Sequence, residues 1–326
     1  MRSKKLFFIA LAVLALGILT YIAITRNAET GTLEAEDSNF AVADTAGIDK
    51  IFISAKSGGN WTLERGTNST WTLNKTWEVA PVTMQVLLQT IHDVDIKRQV
   101  SKAEHNTVVR SLATDHNKVE IYVHGELLKT YFVGHGTDNY LGTYFLMQGS
   151  DTPWITYIPG FDGYLSTRYI VSPNDWREPH IFRSAPQSLR KVSVTYPGRP
   201  ADSFTAEVQG KDLIINGQKA DDPAKTNFFI TKLRDMAVNT FYKEFTPANL
   251  DSMHKLQPIA VITTEDQNPK LNNVLKVYPW REGDNPGHDP KYNALLGTKE
   301  EAINIMKERS DFLMVSPGWF MKPKVQ

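Results

Sequence analysis

The sequence contains no cysteine among its 326 residues. Disulfides, thiolate nucleophiles, thiolate-bound metals and lipid-modified cysteines are therefore excluded, and the fold must be held by packing alone. An excess of charge is also lacking, because 36 basic residues balance 36 acidic ones and no cluster of Lys or Arg stands out beyond the N-terminus. We accordingly expect no nucleic-acid partner.

Catalytic and metal-binding motifs are missing as well. The chain has no G-x-S-x-G and no H-E-x-x-H motif, and the histidines at 92, 105, 116, 124 and 135 are scattered. The loop Gly283–Asp289 is rich in oxygen ligands but lacks EF-hand spacing, so it predicts a hairpin loop. We therefore predict no metal, no cofactor and no enzymatic activity; a pair of carboxylates that meets only in the fold leaves a hydrolase as an open alternative.

One long apolar run is present at the N-terminus. It extends from Leu6 to Ile24, after Arg2, Lys4 and Lys5. Nineteen residues at about 1.5 Å per residue span roughly the 30 Å hydrocarbon core of a bilayer. Because basic residues stay on the cytoplasmic side, we predict a single-pass anchor in the inner membrane with an extracytoplasmic C-terminal body.

A cleaved secretory signal is the alternative to an anchor. Ala15 and Gly17 form a possible cleavage step, but the apolar run continues through Ile18, Leu19 and Ile22. A signal peptide becomes polar at that point, so the pattern favours an uncleaved anchor over residues 1–27. Residues 28–46 are acidic, small and polar, and they predict a linker.

The body resembles two copies of one unit, offset by about 142 residues. Among the predicted strands, Ile51 and Ile53 match Val192 and Val194, Trp61 matches Phe204, and Leu73-Asn74 matches Ile215-Asn216. Each copy then has one amphipathic helix that begins at a proline, Pro81 or Pro223, with Asp221 or Asp222 as the cap of the second helix. The matched helical stripes are Leu87, Leu88, Ile91 and Val94, and Phe229, Ile230, Leu233 and Met236.

After the helix, each copy has two further matched strands. These are Val119–Val123 with Ile259–Thr263, and Leu127–Val133 with Val274–Tyr278. Tyr157–Phe161 and Val315–Trp319 are each predicted to be a strand that ends at a Pro-Gly turn and closes its copy.

The pattern of each copy reads β-β-β-α-β-β-β. We therefore predict an α+β fold of two related, mainly antiparallel units, each with one packed helix. The first unit is predicted over residues 47–172, a connector over 173–187 and the second unit over 188–326. Chance similarity of two α+β domains is the simpler alternative. A pair of related units predicts a groove or flat face between them.

This arrangement resembles the DUF4340 proteins, a bacterial family of unknown function. The resemblance rests on the anchor, the opening IDKIFISAKSGGNWTLER, the segment TWTLNKTWEVAPV before the helix MQVLLQTI, and the repeat LRKVSVTY. It implies a membrane-anchored protein with repeated β-rich units. It also implies an accessory role in an envelope complex beside an ABC-type transporter, and it supplies no catalytic residue.

A Trp-Arg-Glu triplet occurs twice and provides the candidate interaction residues. They are Trp176, Arg177 and Glu178, and Trp280, Arg281 and Glu282. Tryptophan and arginine are enriched at binding hot spots. The structural alternative is an arginine paired locally with an acid while the tryptophan covers the end of a sheet.

These observations predict a membrane-anchored interaction module that binds a partner protein in the envelope, an ABC-type transporter being one candidate. The alternative from another class is a glycan- or lipid-binding module that uses aromatic residues near the groove between the units.

Overall fold

The computed structural model describes residues 37–170, 172–242, 245–279 and 290–322. The predicted anchor, Leu6–Ile24, lies outside these ranges, and so do the second Trp-Arg-Glu triplet and the loop Gly283–Asp289. Within the described ranges, no helix is long and apolar enough to cross a membrane. The chain divides into two compact units, Met1–Glu178 and Pro179–Gln326.

The described part of the first unit forms one nine-stranded antiparallel sheet with helices. Its strands are β1 (Ile48–Ala55), β2 (Asn60–Arg65), β3 (Trp71–Leu73), β4 (Trp77–Glu78), β5 (Asp95–Gln99), β6 (Asn117–Val123), β7 (Glu126–Gly136), β8 (Thr143–Met147) and β9 (Trp154–Tyr157). Its helices are α1 (Pro81–Asp93), α2 (Lys102–Thr114) and the short α3 (Pro173–Trp176). The strand order is β4-β3-β2-β1-β6-β7-β8-β9-β5.

The second unit repeats this topology strand for strand. Its strands are β10 (Leu189–Thr195), β11 (Phe204–Gln209), β12 (Asp212–Ile215), β13 (Gln218–Lys219), β14 (Thr240–Phe241), β15 (Ala260–Asp266), β16 (Asn273–Val277), β17 (Lys291–Leu296) and β18 (Glu301–Met306). Its helices are α4 (Pro223–Arg234), α5 (Pro247–His254) and α6 (Lys307–Ser310). The order β13-β12-β11-β10-β15-β16-β17-β18-β14 confirms the duplication and the α+β class.

Each sheet consists of two meanders that meet at one central pair of strands. In the first unit this pair is β1 and β6, where Ile51 lies opposite Ile121 and Ile53 opposite Val119. All four side chains are at most 1 % exposed. In the second unit β10 pairs with β15, and the equivalent positions are again buried. Alternation of apolar residues therefore places one face of each central pair in a core.

The predicted helical stripes pack on these sheets. Leu87 and Ile91 of α1 are fully buried, and so are Phe229 and Leu233 of α4, while Leu88 and Ile230 are half-buried. Each helix begins at its predicted proline, whose missing N–H has no intrahelical partner in a first turn. Asp222 caps α4 by accepting hydrogen bonds from Ala224 N–H and Lys225 N–H, both at 3.2 Å.

The matched asparagines have one role in both copies. Asn74 and Asn216 follow β3 and β12 with positive φ angles of 50° and 49°. The side-chain oxygen of Asn74 accepts the N–H of Thr62 at 2.8 Å, and that of Asn216 accepts the N–H of Thr205 at 2.8 Å. Asparagine tolerates the left-handed region better than most residues, which explains its presence in both turns.

The predicted order β-β-β-α-β-β-β is too short. Within the described ranges, each unit has nine strands and not six. The additional elements are an edge strand, β4 or β13, a strand after the first helix, β5 or β14, the strand β8 or β17, and a second helix, α2 or α5. The second unit also adds β18. The second helices begin with capping boxes: Ser101 with Glu104, and Thr246 with Asn249. Those spacings are a recognisable N-terminal signal that the analysis of apolar stripes did not use.

The predicted closing segments are only half correct. Tyr157–Phe161 does end strand β9 in a turn, with a bridge between Ile158 and Phe161. Val315–Trp319 is not a strand; its last residues belong to a 3-10 helix, Pro317–Phe320. Its equivalent in the first unit is α3, because the sequence V-S-P occurs at 171–173 and again at 315–317. Trp176 and Phe320, each fully buried, then occupy equivalent positions.

The predicted linker and connector both contribute to the cores. Phe40 and Val42, predicted to lie in the linker, are 2 % and 6 % exposed in the first core. The division between units falls within the predicted connector. Trp176 on one side of it belongs to the first core, and Ile181 and Phe182 on the other side belong to the second. Apolar residues in short, mainly polar segments thus contribute more to the cores than the sequence pattern predicts.

We expect Trp176→Ala to lower the free energy of unfolding of the first unit by about 3–5 kcal/mol, because it leaves a large cavity in a packed core. Phe320→Ala should do the same to the second unit. Hydrogen exchange of the full-length protein, followed by mass spectrometry, should show faster exchange in β1–β9 for the first variant and in β10–β18 for the second. Unchanged exchange in Trp176→Ala would contradict a core role for this residue.

Candidate binding cleft

A cleft of about 740 Å³ opens beside helix α1 in the first unit. This volume lies within the range of about 300–1,000 Å³ that is typical of ligand pockets. Its apolar lining comprises Trp71, Val79, Pro81, Met84 and Leu88. Its polar lining comprises Thr45, Arg65, Ser69, Thr70, Glu78, Gln85, Gln89 and His92. The cleft therefore combines an apolar floor with several hydrogen-bonding groups.

One flank of α1 forms the first wall. The lining positions begin at Pro81 and end at His92, and the pairs between them recur every three to four residues. That spacing keeps them on one side of a helix and gives the wall a length of roughly 16 Å. Gln85 and Gln89 are exposed, whereas Met84 behind them is 2 % exposed. The wall thus presents amide groups over a buried apolar side chain.

Arg65 and Trp71 form the opposite wall. They are cross-strand partners on β2 and β3, and the guanidinium carbon of Arg65 lies 4.8 Å from the centre of the Trp71 ring. Arg65 Nε donates to the carbonyl of Ile48 at 2.7 Å, and Nη2 donates to the carbonyl of Thr45 at 2.8 Å. The side chain therefore joins β2 to the segment that precedes β1.

The second unit has different chemistry at the equivalent positions. The partners in place of Arg65 and Trp71 are Val208 and Leu213. Gln85 and Gln89 correspond to Asn227 and Thr231, counted from the first proline of each helix. Ala220 replaces Glu78, and Arg234 replaces His92. The positions on the helix thus stay polar with other side chains, whereas Arg65, Trp71 and Glu78 of the first unit have apolar equivalents in the second.

His92 and Asp93 mark the end of the helical wall. His92 Nδ1 and Asp93 Oδ1 share a hydrogen bond of 2.5 Å, and this bond lowers the pKa of the Asp93 carboxyl. His92 lies in the last turn of α1, where the helix dipole favours a cation. The hydrogen-bond partner of His92 among the described residues is thus the Asp93 carboxylate rather than a serine or threonine hydroxyl. The pair resembles a helix-terminal ion pair more closely than an activated nucleophile.

The first Trp-Arg-Glu triplet borders the cleft from behind and does not line it. The indole Nε1 of fully buried Trp176 donates to the carbonyl of Ile170 at 3.0 Å. The Ala80 N–H donates to the carbonyl of Trp176, and the Glu178 N–H to the carbonyl of Glu78. Arg177 lies over the ring of Trp77 at 5.1 Å.

The triplet at 176–178 therefore extends the sheet beside β4, which agrees with the structural alternative for Trp176. Burial also removes this tryptophan as a direct contact for a partner. Trp280, Arg281 and Glu282 lie outside the described residues.

A metal centre is not apparent in the described ranges, where no group of three or more His, Asp or Glu side chains is arranged to hold an ion. His105 and His116 are bound to backbone carbonyls, at 2.8 Å from Asp151 O and 2.6 Å from Leu112 O. These two histidines thus serve local structure.

The residues of the cleft do not stand out in the sequence. The positions that the two copies share are core positions, and the cleft is lined mainly by residues that differ between the copies. A usable signal lay in the positions where the copies differ in chemistry, above all Arg65 against Val208 and Trp71 against Leu213. In a duplicated fold, positions where the two copies differ in chemistry are more informative about a site than positions where the copies agree.

We expect Arg65→Met to lower the free energy of unfolding by about 1–3 kcal/mol, because two carbonyl groups lose a charged donor. Urea denaturation of the full-length protein would measure the change. Lys75→Met is the control, since Lys75 is 78 % exposed and its ion pair with Glu64 is 3.7 Å long; its effect should stay within about 0.5 kcal/mol. Equal effects of the two substitutions would contradict the structural role of Arg65.

Comparison with known proteins supports the resemblance seen in the sequence. The model of DUF4340, a domain of unknown function, matches residues 71–253, more than half of the chain. The match begins at Trp71 in the cleft, includes all of α1, and continues through most of α5 in the second unit. Neither a curated protein nor a solved structure matches the chain. The chain belongs to the DUF4340 family.

Proposed function

We propose that this chain is a membrane-anchored, extracytoplasmic interaction module that acts by binding. In this proposal the apolar run Leu6–Ile24 holds it in the inner membrane. Its body serves as an accessory component of an envelope or transporter-associated complex. The observation that carries the proposal is the open cleft beside α1, in which Arg65, Trp71 and Glu78 have the apolar equivalents Val208, Leu213 and Ala220 in the second unit.

The chemistry of the cleft favours an extended peptide segment of a partner protein as its occupant. Gln85 and Gln89 each carry a donor and an acceptor, the same pair of groups that a peptide unit presents. They lie one helical turn apart along a wall of roughly 16 Å, which matches about five extended residues. Apolar side chains of such a segment would meet Leu88 and Met84 between these amides.

Other ligand classes fit less well. An acyl chain would bury the exposed amides of Gln85 and Gln89 against its methylene groups, and each unsatisfied group costs about 1–3 kcal/mol. A sugar needs an open aromatic face, but Trp71 is 5 % exposed and its ring is covered by Arg65. The lining therefore favours a ligand that has both apolar groups and hydrogen-bonding groups.

A photo-crosslinking amino acid in place of Gln85 should give one dominant light-dependent adduct with an envelope protein in the native cells. The same amino acid in place of Asn227 is the matched control, because this exposed residue occupies the equivalent position on α4. We expect an adduct at Gln85 and none of that size at Asn227. Mass spectrometry would identify the partner.

A substitution that fills the cleft should abolish this adduct. Gln89→Arg places a longer, charged side chain in the middle of the wall, and it should reduce the adduct at Gln85 at least tenfold. Thr231→Arg, its exposed equivalent in the second unit, should leave the adduct unchanged. Identical adducts at both crosslinker positions, or an adduct that is insensitive to Gln89→Arg, would contradict binding in the cleft.

Glycan or lipid binding remains the second candidate, and it is favoured by a different surface. Phe228 and Phe312 are 38 % and 43 % exposed, with ring centres 5.3 Å apart, and Trp319 lies 6.2 Å from Phe228. We call these three residues the α4 aromatic patch. Lys232 Nζ lies 5.5 Å from the ring centres of both phenylalanines. Exposed rings beside a cation are suited to stacking against a sugar or an acyl chain.

If the α4 aromatic patch binds such a ligand, Phe312→Ala should lower the affinity for envelope glycan fragments by about two- to tenfold. Val82→Ala is the control, because this residue is 72 % exposed on the helix of the first unit. Calorimetric titration of the full-length protein would measure both. Equal affinities in the two variants would count against this candidate.

A further inference from the structure

The hairpin between β6 and β7 exposes two adjacent leucines. Its two-residue turn consists of His124 and Gly125, with φ angles of 53° and 81°, which is typical of a tight hairpin. Directly after the turn, Leu127 and Leu128 are 54 % and 49 % exposed. Single exposed leucines are ordinary. Two in succession beside a turn form a small apolar tip, which we call the Leu127–Leu128 tip.

The chain enters the first unit beside this tip. Lys129 Nζ, one residue after Leu128, donates to the carbonyls of Asn39 and Ala41, both at 2.6 Å. Ser150 Oγ donates to the Asp37 carboxylate at 2.9 Å. Leu128 and Asn39 line the same cavity of about 400 Å³. The first described residues, 37–41, are therefore bound to the end of the sheet that carries the tip.

The predicted anchor is only a short distance away along the chain. Twelve residues, 25–36, separate Ile24 from Asp37. Twelve residues span at most about 40 Å in any conformation. The anchor thus keeps the tip at a high local concentration near the bilayer, so that even a weak contact is occupied.

We propose that the Leu127–Leu128 tip contacts the interfacial region of the membrane that holds the anchor. This proposal rests on the proposed function, since it requires the anchor. The two leucines supply the contact, because the carboxylates beside the turn would repel anionic headgroups: Glu126 is exposed, and the Asp49 carboxylate accepts the Gly125 N–H at 2.6 Å. Anionic lipids are therefore unnecessary. The tip defines which end of the first sheet faces the bilayer.

The absence of cysteine allows a direct test with single labels. Glu126→Cys places an environment-sensitive fluorophore beside the tip and keeps both leucines. Ser57→Cys is the matched control, because this exposed residue lies in the turn at the opposite end of β1, roughly 25 Å away. The full-length protein would be reconstituted into phosphatidylcholine vesicles with and without brominated acyl chains.

We expect bromine to quench the label at residue 126 at least threefold more than the label at residue 57. Adding Leu127→Ser and Leu128→Ser to the Glu126→Cys variant should reduce its quenching to the level of the control. Equal quenching at the two positions, in protein that floats with the vesicles, would overturn the membrane contact and leave the anchor intact. Protein that does not float would overturn the anchor itself.

Discussion

Pairing of β1 with β6, and of β10 with β15, is the interaction on which both units depend. Each sheet consists of two meanders of consecutive strands, with one further strand, β5 or β14, at the edge beside β9 or β18. Only the central pair joins them, across the helices that interrupt the chain. Closing that long connection costs conformational entropy, which apolar pairs such as Ile51 with Ile121 must offset by burial. The helical stripe of α1 or α4 then covers the joined sheet.

Much of this arrangement could be predicted from the sequence, because it depends on regular periods. Alternation around Ile51 and Val192 predicted the central strands, and the stripe from Leu87 to Val94 predicted the covering helix. Matched proline and asparagine positions predicted the duplication. Elements without such periods were missed. The helices α2 and α5 are recognisable from their capping boxes instead. The edge strands β5 and β14 pair with β9 and β18, which are distant in sequence.

The candidate site was beyond the same reasoning for a physical reason. Its polar side chains come from the segment before β1, from β2 and the loop after it, from β4 and from α1, and they meet only after the sheet has formed. Trp176 illustrates the opposite error. Its residue type suggested a contact residue, but its side chain is buried in the core of the first unit. A tryptophan in a short, proline-containing segment can either contact a partner or fill a core. Comparison with Phe320 in the other copy distinguishes them, because both positions retain a large buried ring.

Duplication also gives the two units different mechanical positions. Residues 37–42 are bound at three places. Ser150 Oγ donates to the Asp37 carboxylate, Lys129 on β7 holds two of their carbonyls, and the Val42 N–H donates to the carbonyl of Ile91 on α1 at 3.0 Å. A pull on the chain before Asp37 is consequently divided between the sheet and the helix that forms a wall of the cleft. The wall of the cleft is thus linked mechanically to the chain ahead of the first unit.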